Sequence, residues 1–152
     1  MNTRPEIVTA AALCRRFEGF FPEPYLCPAG VPTIGFGTTH YPDGRAVRLI
    51  DPHIPLAQAE EYLQFELQTQ SLRSVAALCP ALPAWGSDAV AALVDFTYNV
   101  GSGNLAASTL RRKIAANNRE GAKTELMKWV RGGGRVLPGL VRRRQAESSM
   151  IG

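Results

Sequence analysis

Glu18 is the residue of this sequence best suited to acid chemistry, because of where it stands. It closes a helical pattern, with Phe17 before it and Gly19, Phe20 and Phe21 after it. A carboxylate at a helix C-terminus faces the negative end of the helix dipole, and neighbouring aromatic surface removes water from it, so both surroundings favour the protonated form. A carboxyl that keeps its proton near neutral pH can act as a general acid. Cys27 follows nine residues later and Thr33 fifteen residues later, with Gly35 and Gly37 letting the backbone turn closely beside them. An unperturbed thiol, with a pKa near ~8.5, is mostly neutral at pH 7 and is a weaker base than a carboxylate unless its surroundings lower that pKa. As a thiolate it is also a nucleophile. Asn99, following Tyr98 near the end of an apolar helical stretch, offers an amide with two donors and two acceptors for a polar ligand.

The elements that must position these groups follow from the patterning. Thr3 with Glu6 three residues on, and Pro5 in the first turn, form a capping-box start to a helix that runs to about Glu18 and stops at Gly19. Ile7, Ala11, Cys14 and Glu18 share one face of it. The Gly- and Pro-rich stretch from Gly19 to Gly44 carries Tyr25-Leu26-Cys27 and Thr33-Ile34-Gly35-Phe36-Gly37, ends in a Pro42-Asp43-Gly44 turn, and reads as a small β-meander. From about Pro55 to Leu78, Ala59, Leu63 and Leu67 recur four apart, which predicts a long connecting helix stopped by Pro80 and Pro83. Ser87 is placed to cap the next helix, Asp88 to Val100, which is apolar nearly all round and belongs in the core. Shorter helices are expected near 108–116, 119–130 and 138–149, divided by Asn117-Asn118 and by Gly132-Gly133-Gly134. The expected architecture is α+β. One domain spans residues 1–152, with a small β lobe over about 20–52, a helical body from 1–19 and 55–152, and a cleft between them as the natural ligand site.

Composition sets the outer limits. With 152 residues, 45% of them hydrophobic and 20% charged, the chain can bury a single core, which excludes a disordered tail or a disulfide-scaffold mini-protein. No apolar run approaches the ~18 residues of a membrane span. Cys14, Cys27 and Cys79 are odd in number and lack C-x-x-C spacing, so neither a disulfide framework nor a zinc site is expected. His40 and His53 have no partner at metal-ligand spacing, and Gly132-Gly133-Gly134 lacks the strand and the Lys-Ser/Thr of a phosphate loop. The net charge of +4 has much of its excess late, in Arg131, Arg135, Arg142, Arg143 and Arg144, which suits an anionic partner; nucleic acid, an acidic membrane surface and anionic cell-wall polymer all qualify on charge alone. No base-reading helix or aromatic platform is evident, so no nucleic-acid partner is expected.

The stretch Glu18-Gly-Phe-Phe-Pro-Glu-Pro-Tyr-Leu-Cys-Pro-Ala-Gly-Val-Pro-Thr33-Ile-Gly-Phe-Gly resembles the active-site segment of phage-type lysozymes, the T4 lysozyme-like endolysins of glycoside hydrolase family 24. The resemblance continues through Asp95-Phe96-Thr97-Tyr98-Asn99-Val100-Gly101, through Ser108-Thr109-Leu110, and from Trp129 to Glu147, and its second half is more similar to the endolysins of lambdoid phages. It implies a lysozyme-like fold and hydrolysis of the β-1,4 bond between N-acetylmuramic acid and N-acetylglucosamine, without a metal or other cofactor. Carried over by position, the family's catalytic Glu, Asp and Thr fall on Glu18, Cys27 and Thr33, so a cysteine stands where aspartate is commonest. In the family the glutamate protonates the glycosidic oxygen, while the other two place or activate a water. The two-group plan is the general one for glycoside hydrolysis.

The resemblance also implies sugar contacts from Asn99, Tyr98 and Ser108. It implies a monomer acting on peptidoglycan glycan strands for host cell lysis. Because the N-terminus is a poor secretory signal, the expected route is accumulation in the host cytoplasm and action in the periplasm after a holin has opened the membrane. Two other readings stay open on the residues alone. One is a lytic transglycosylase, whose anhydro products would need no external water, and the other is a non-catalytic wall-binding protein.

Overall fold

Pro5 opens the first helix at a position where its missing N–H removes no bond. The computed structural model describes residues 4–152, and in it helix α1 runs Pro5–Glu18. The Arg4 carbonyl accepts the N–H groups of Ile7 and Val8 at 3.1 Å each. Thr3, half of the expected capping box, lies outside the described residues. Gly19, at φ +74°, ends the helix in a conformation that a side chain would resist. Ile7, Ala10, Ala11, Leu13 and Cys14 are buried, and α1 lies along helix α4, Ser87–Val100.

Beyond Gly19 the chain forms an antiparallel hairpin, β1 (Phe21–Leu26) with β2 (Pro32–Gly35), in which Tyr25 opposes Thr33 and Leu26 opposes Pro32. The ladder is irregular between Phe21 and Tyr25, where Pro22 and Pro24 have no N–H to give. The expected meander does not extend to a third strand. Gly35 and Gly37 both have positive φ, so the chain doubles back at once and leaves only the isolated pairings Ile34 with Thr38 and His40 with Ala46. Asp51 ties down the loop that follows, accepting from the Arg48 N–H at 2.9 Å and the Tyr41 hydroxyl at 2.8 Å.

The long connecting helix is present with a wide turn inside it. Helix α2 (Leu56–Glu66) passes through one π turn at Leu67–Ser71 into α3 (Leu72–Leu78). Helix α4 starts at Ser87, but its cap is Gly86 at φ +103°, and the Ser87 hydroxyl makes no capping bond. Ala89, Ala91, Ala92, Leu93, Val94 and Phe96 are fully buried, so α4 is the spine of the core. Then come α5 (Ser102–Ala107), which the pattern did not foresee, α6 (Thr109–Ala115), α7 (Arg119–Leu126) and α8 (Pro138–Ile151). Between α7 and α8 a two-residue turn at Gly133-Gly134, both with positive φ, joins the short strands β3 (Arg131–Gly132) and β4 (Arg135–Val136). Among the described residues, no helix is long and apolar enough to cross a membrane.

Candidate active site

Glu18 ends α1 where that helix, α4 and α8 come together. Its Oε1 accepts from Arg143 Nη1 at 2.7 Å, and its side chain keeps 23% exposure. Its Oε2 faces Gly37, where a Cβ would sit 3.2 Å from both that oxygen and the Tyr98 hydroxyl, at a backbone φ of +88°. Glycine is therefore required at that turn on two counts, space and conformation. Tyr98 donates from its hydroxyl to the Phe36 carbonyl at 2.6 Å and so holds the same turn against the helical body.

Behind Glu18 lies a network of buried charges. Arg143, 3% exposed, donates from Nε to Asp95 Oδ2 at 2.9 Å and from Nη2 to Oδ1 at 2.8 Å. The Cys14 thiol donates to the same Oδ1 at 3.1 Å. Burial alone would raise the Asp95 carboxyl, but the hydrogen bonds and charge of Arg143 outweigh it and hold that group below the usual carboxylate range. Burial, reinforced by Asp95, raises the Cys14 thiol and the Glu147 carboxyl. Arg144 is fully buried, paired with Glu147 at 2.6 Å, bonded to the Trp129 carbonyl at 2.9 Å and to Asn99 Oδ1. The arginine cluster of α8 is thus not the basic surface its charge suggested. Arg143 and Arg144 point inward against α4, where Asp95, Glu147 and Asn99 neutralise or bond them, and Arg142 alone of the three is exposed.

Cys27 and Thr33 sit on the hairpin. Cys27 begins a turn closed by the Gly30 N–H donating to its carbonyl at 2.8 Å, with Gly30 at φ +78°. The Val31 N–H, helped by the Ala29 and Gly30 N–H groups and the Thr33 hydroxyl, draws the Cys27 thiol below its ordinary pKa against an opposing effect of burial. Thr33 is buried in β2 and donates to the Val31 carbonyl at 2.9 Å. The Tyr25 phenol, opposite Thr33, is raised first by burial and then by the charges of Glu18 and Cys27. A cavity of about 400 Å³ opens beside Glu18, lined by Asn99, Phe17, Arg16 and Arg142 among others.

Of the six residues singled out from the sequence, the fold gathers Glu18, Tyr98 and Asn99 at one end of α4 and brings Cys27 and Thr33 together on the hairpin, which does not line the cavity beside Glu18. Ser108 lies elsewhere. It caps α6, accepting from the Arg111 N–H at 3.0 Å and donating to the Leu105 carbonyl at 2.7 Å, and it lines a separate cavity with Leu78 and Pro80. Sequence reasoning missed Arg143, Asp95 and Cys14 as a unit. The available signal was an aspartate on an otherwise apolar core helix, which demands a buried cation somewhere in the chain.

Glu66 was also missed. It ends α2 just before the π turn, and its carboxyl is pushed up to about 7, first by burial and then by Glu18. An unfolded-chain glutamate releases its proton near ~4.3, so between these values the native state binds the extra proton and stability falls as pH rises. The loss is complete above the native value and amounts to about 4 kcal/mol. Urea midpoints measured on both sides of that window should show Glu66→Gln losing much less stability than wild type as pH rises. Parallel curves for the two proteins would contradict this account of the carboxyl.

The family model described as phage lysozyme matches residues 15–147. The chain is 35% identical over 144 residues to the endolysin of Acyrthosiphon pisum secondary endosymbiont phage 1, covering 91% of this chain and 92% of that protein. Its fold is similar to the endolysin from Escherichia coli O157:H7 phage FAHEc1, with a TM-score of 0.80 and 29% identity over 94% of this chain and 90% of that one. It is also similar to the muramidase domain of SpmX from Asticcacaulis excentricus, with a TM-score of 0.77 and 25% identity over 93% of each chain. A family match across most of the sequence, a relative aligned along nearly all of both chains, and a shared fold lead to one conclusion: this chain belongs to the phage lysozyme family and is a glycoside hydrolase acting on peptidoglycan.

Proposed function

We propose that the enzyme hydrolyses the β-1,4 bond between N-acetylmuramic acid and N-acetylglucosamine, with Glu18 as the acid and Cys27 and Thr33 handling the attacking water. Glu18 gives its proton to the glycosidic oxygen as the bond from that oxygen to the muramic C1 breaks. A water held by the Thr33 hydroxyl adds to C1 and passes a proton to the Cys27 sulfur. The observation that carries this reading is that the backbone N–H groups of Val31, Ala29 and Gly30 and the Thr33 hydroxyl lower the Cys27 thiol, which moves it toward the form that can take a proton from water. Asn99, with its carbonyl oxygen held by Arg144, has its amide N–H groups left for sugar, while Tyr98 keeps the Phe36–Gly37 turn in place under Glu18.

Cys27→Ala removes the water-handling group, and a general base contributes about 10²–10⁴-fold. The variant should therefore release soluble muropeptides at least about a hundredfold more slowly than wild type. Cys27→Asp restores a carboxylate and should recover most of the rate. Full activity in a folded Cys27→Ala protein would remove Cys27 from the chemistry.

Access to the wall follows the route the family resemblance implies. The protein accumulates in the host cytoplasm and reaches the periplasm once a holin has opened the membrane. It works as a monomer on glycan strands.

A further inference from the structure

Arg143 carries five N–H donors in a rigid plane. Asp95 takes Nε and Nη2 side-on, which fixes that plane and leaves Nη1 pointing at Glu18 Oε1 at 2.7 Å. Cys14 stands one turn before Glu18 on α1 and donates to the oxygen of Asp95 that Arg143 Nη2 also uses. One buried carboxylate on α4 therefore ties together the last turn of α1 and the guanidinium of α8. A buried ion pair of this kind is often no more stable than a well-packed apolar substitute, so stability alone does not account for it. Orientation does, because a carboxyl swung by an ångström no longer meets the glycosidic oxygen.

We propose that Asp95 and Cys14 are positioning residues for Glu18, acting through Arg143, which rests on the reading of Glu18 as the acid. The charged and titratable groups around Glu18 are Arg143 on α8, Cys14 on its own helix, Tyr98 on α4, Glu66 on α2, and Tyr25 on β1. Those around Asp95 are Arg143, Cys14 and Glu147. Removing the Asp95 charge leaves Arg143 free to turn onto Glu18 with its whole fork. The acid is then both misaligned and held as its carboxylate.

The test is the pH profile of kcat and KM on soluble peptidoglycan for Asp95→Asn, Cys14→Ala and Cys14→Ser, each checked by near-UV circular dichroism. Asp95→Asn should lower kcat about 10–100-fold with little change in KM, and the alkaline limb of its profile should move to lower pH. Cys14→Ala, which leaves the Asp95 charge in place, should lower kcat several-fold without that displacement, and Cys14→Ser, which keeps a donor at that place, should rescue the rate. If Asp95→Asn does not fold, the two Cys14 variants decide. The proposal is overturned if folded Cys14→Ala matches wild type in kcat, or if Cys14→Ser fails to rescue. Glu18→Gln assayed alongside separates the two levels, since full activity there would remove the acid itself and not its positioning.

Discussion

Glu18→Gln should retain the fold and lose at least about a thousandfold in the rate of peptidoglycan hydrolysis, near the upper part of the range for a general acid. Glutamine keeps the shape of the side chain and an oxygen that can accept from Arg143 Nη1, so the buried network behind it is preserved. What it lacks is a proton to give. The rate is read from the clearing of permeabilised Gram-negative cells, and folding from near-UV circular dichroism. Residual activity above about a tenth of wild type would be too much for a lost acid and would shift the role to another group.

The second large effect concerns stability. Arg143→Met is of similar length and apolar, but it leaves Asp95 buried with its main partner gone. Breaking a buried pair on one side costs about 3–5 kcal/mol, because the remaining charge stays out of water. At roughly 2–4 °C per kcal/mol for a domain of this size, the midpoint of thermal unfolding should fall by about 10 °C. The double variant Arg143→Met with Asp95→Asn should recover part of that loss, and the coupling between the two sites should exceed about 1 kcal/mol. A loss below about 1 kcal/mol in the single variant would mean that the Asp95 charge is neutralised by other means.

Local chemistry made the end of α1 legible: a helix that must stop at Gly19 puts Glu18 at its tip, and a hairpin of Gly and Pro must follow it. The apolar run of α4 announced the core just as directly. Other features depend on tertiary contact and left no local trace. The third part of the meander dissolves because two positive-φ glycines turn the chain back within a few residues. The π turn at Leu67–Ser71 widens a helix whose apolar spacing is otherwise regular, so the period alone hid it. Ser87 is a good capping residue by type, yet Gly86 takes that place.

The arginines of α8 show the same limit most clearly. Three consecutive basic residues look like a solvated stripe, and nothing in their spacing says that two of them are buried. That followed only from Asp95 and Glu147, acids on core-facing positions about fifty and three residues away, whose partners had to come from somewhere. Glu18 at the helix tip was readable, but its ion pair with Arg143 was not.

Hydrolysis adds a water oxygen to muramic C1. It is tested most directly by digesting purified peptidoglycan in water enriched in heavy oxygen and taking the mass spectrum of the released muropeptides. Reducing-end N-acetylmuramic acid carrying one heavy oxygen should be formed by wild type and Cys27→Asp and lost in Glu18→Gln. Unlabelled anhydro-muramic products would contradict it, because the bond would then have been broken without water.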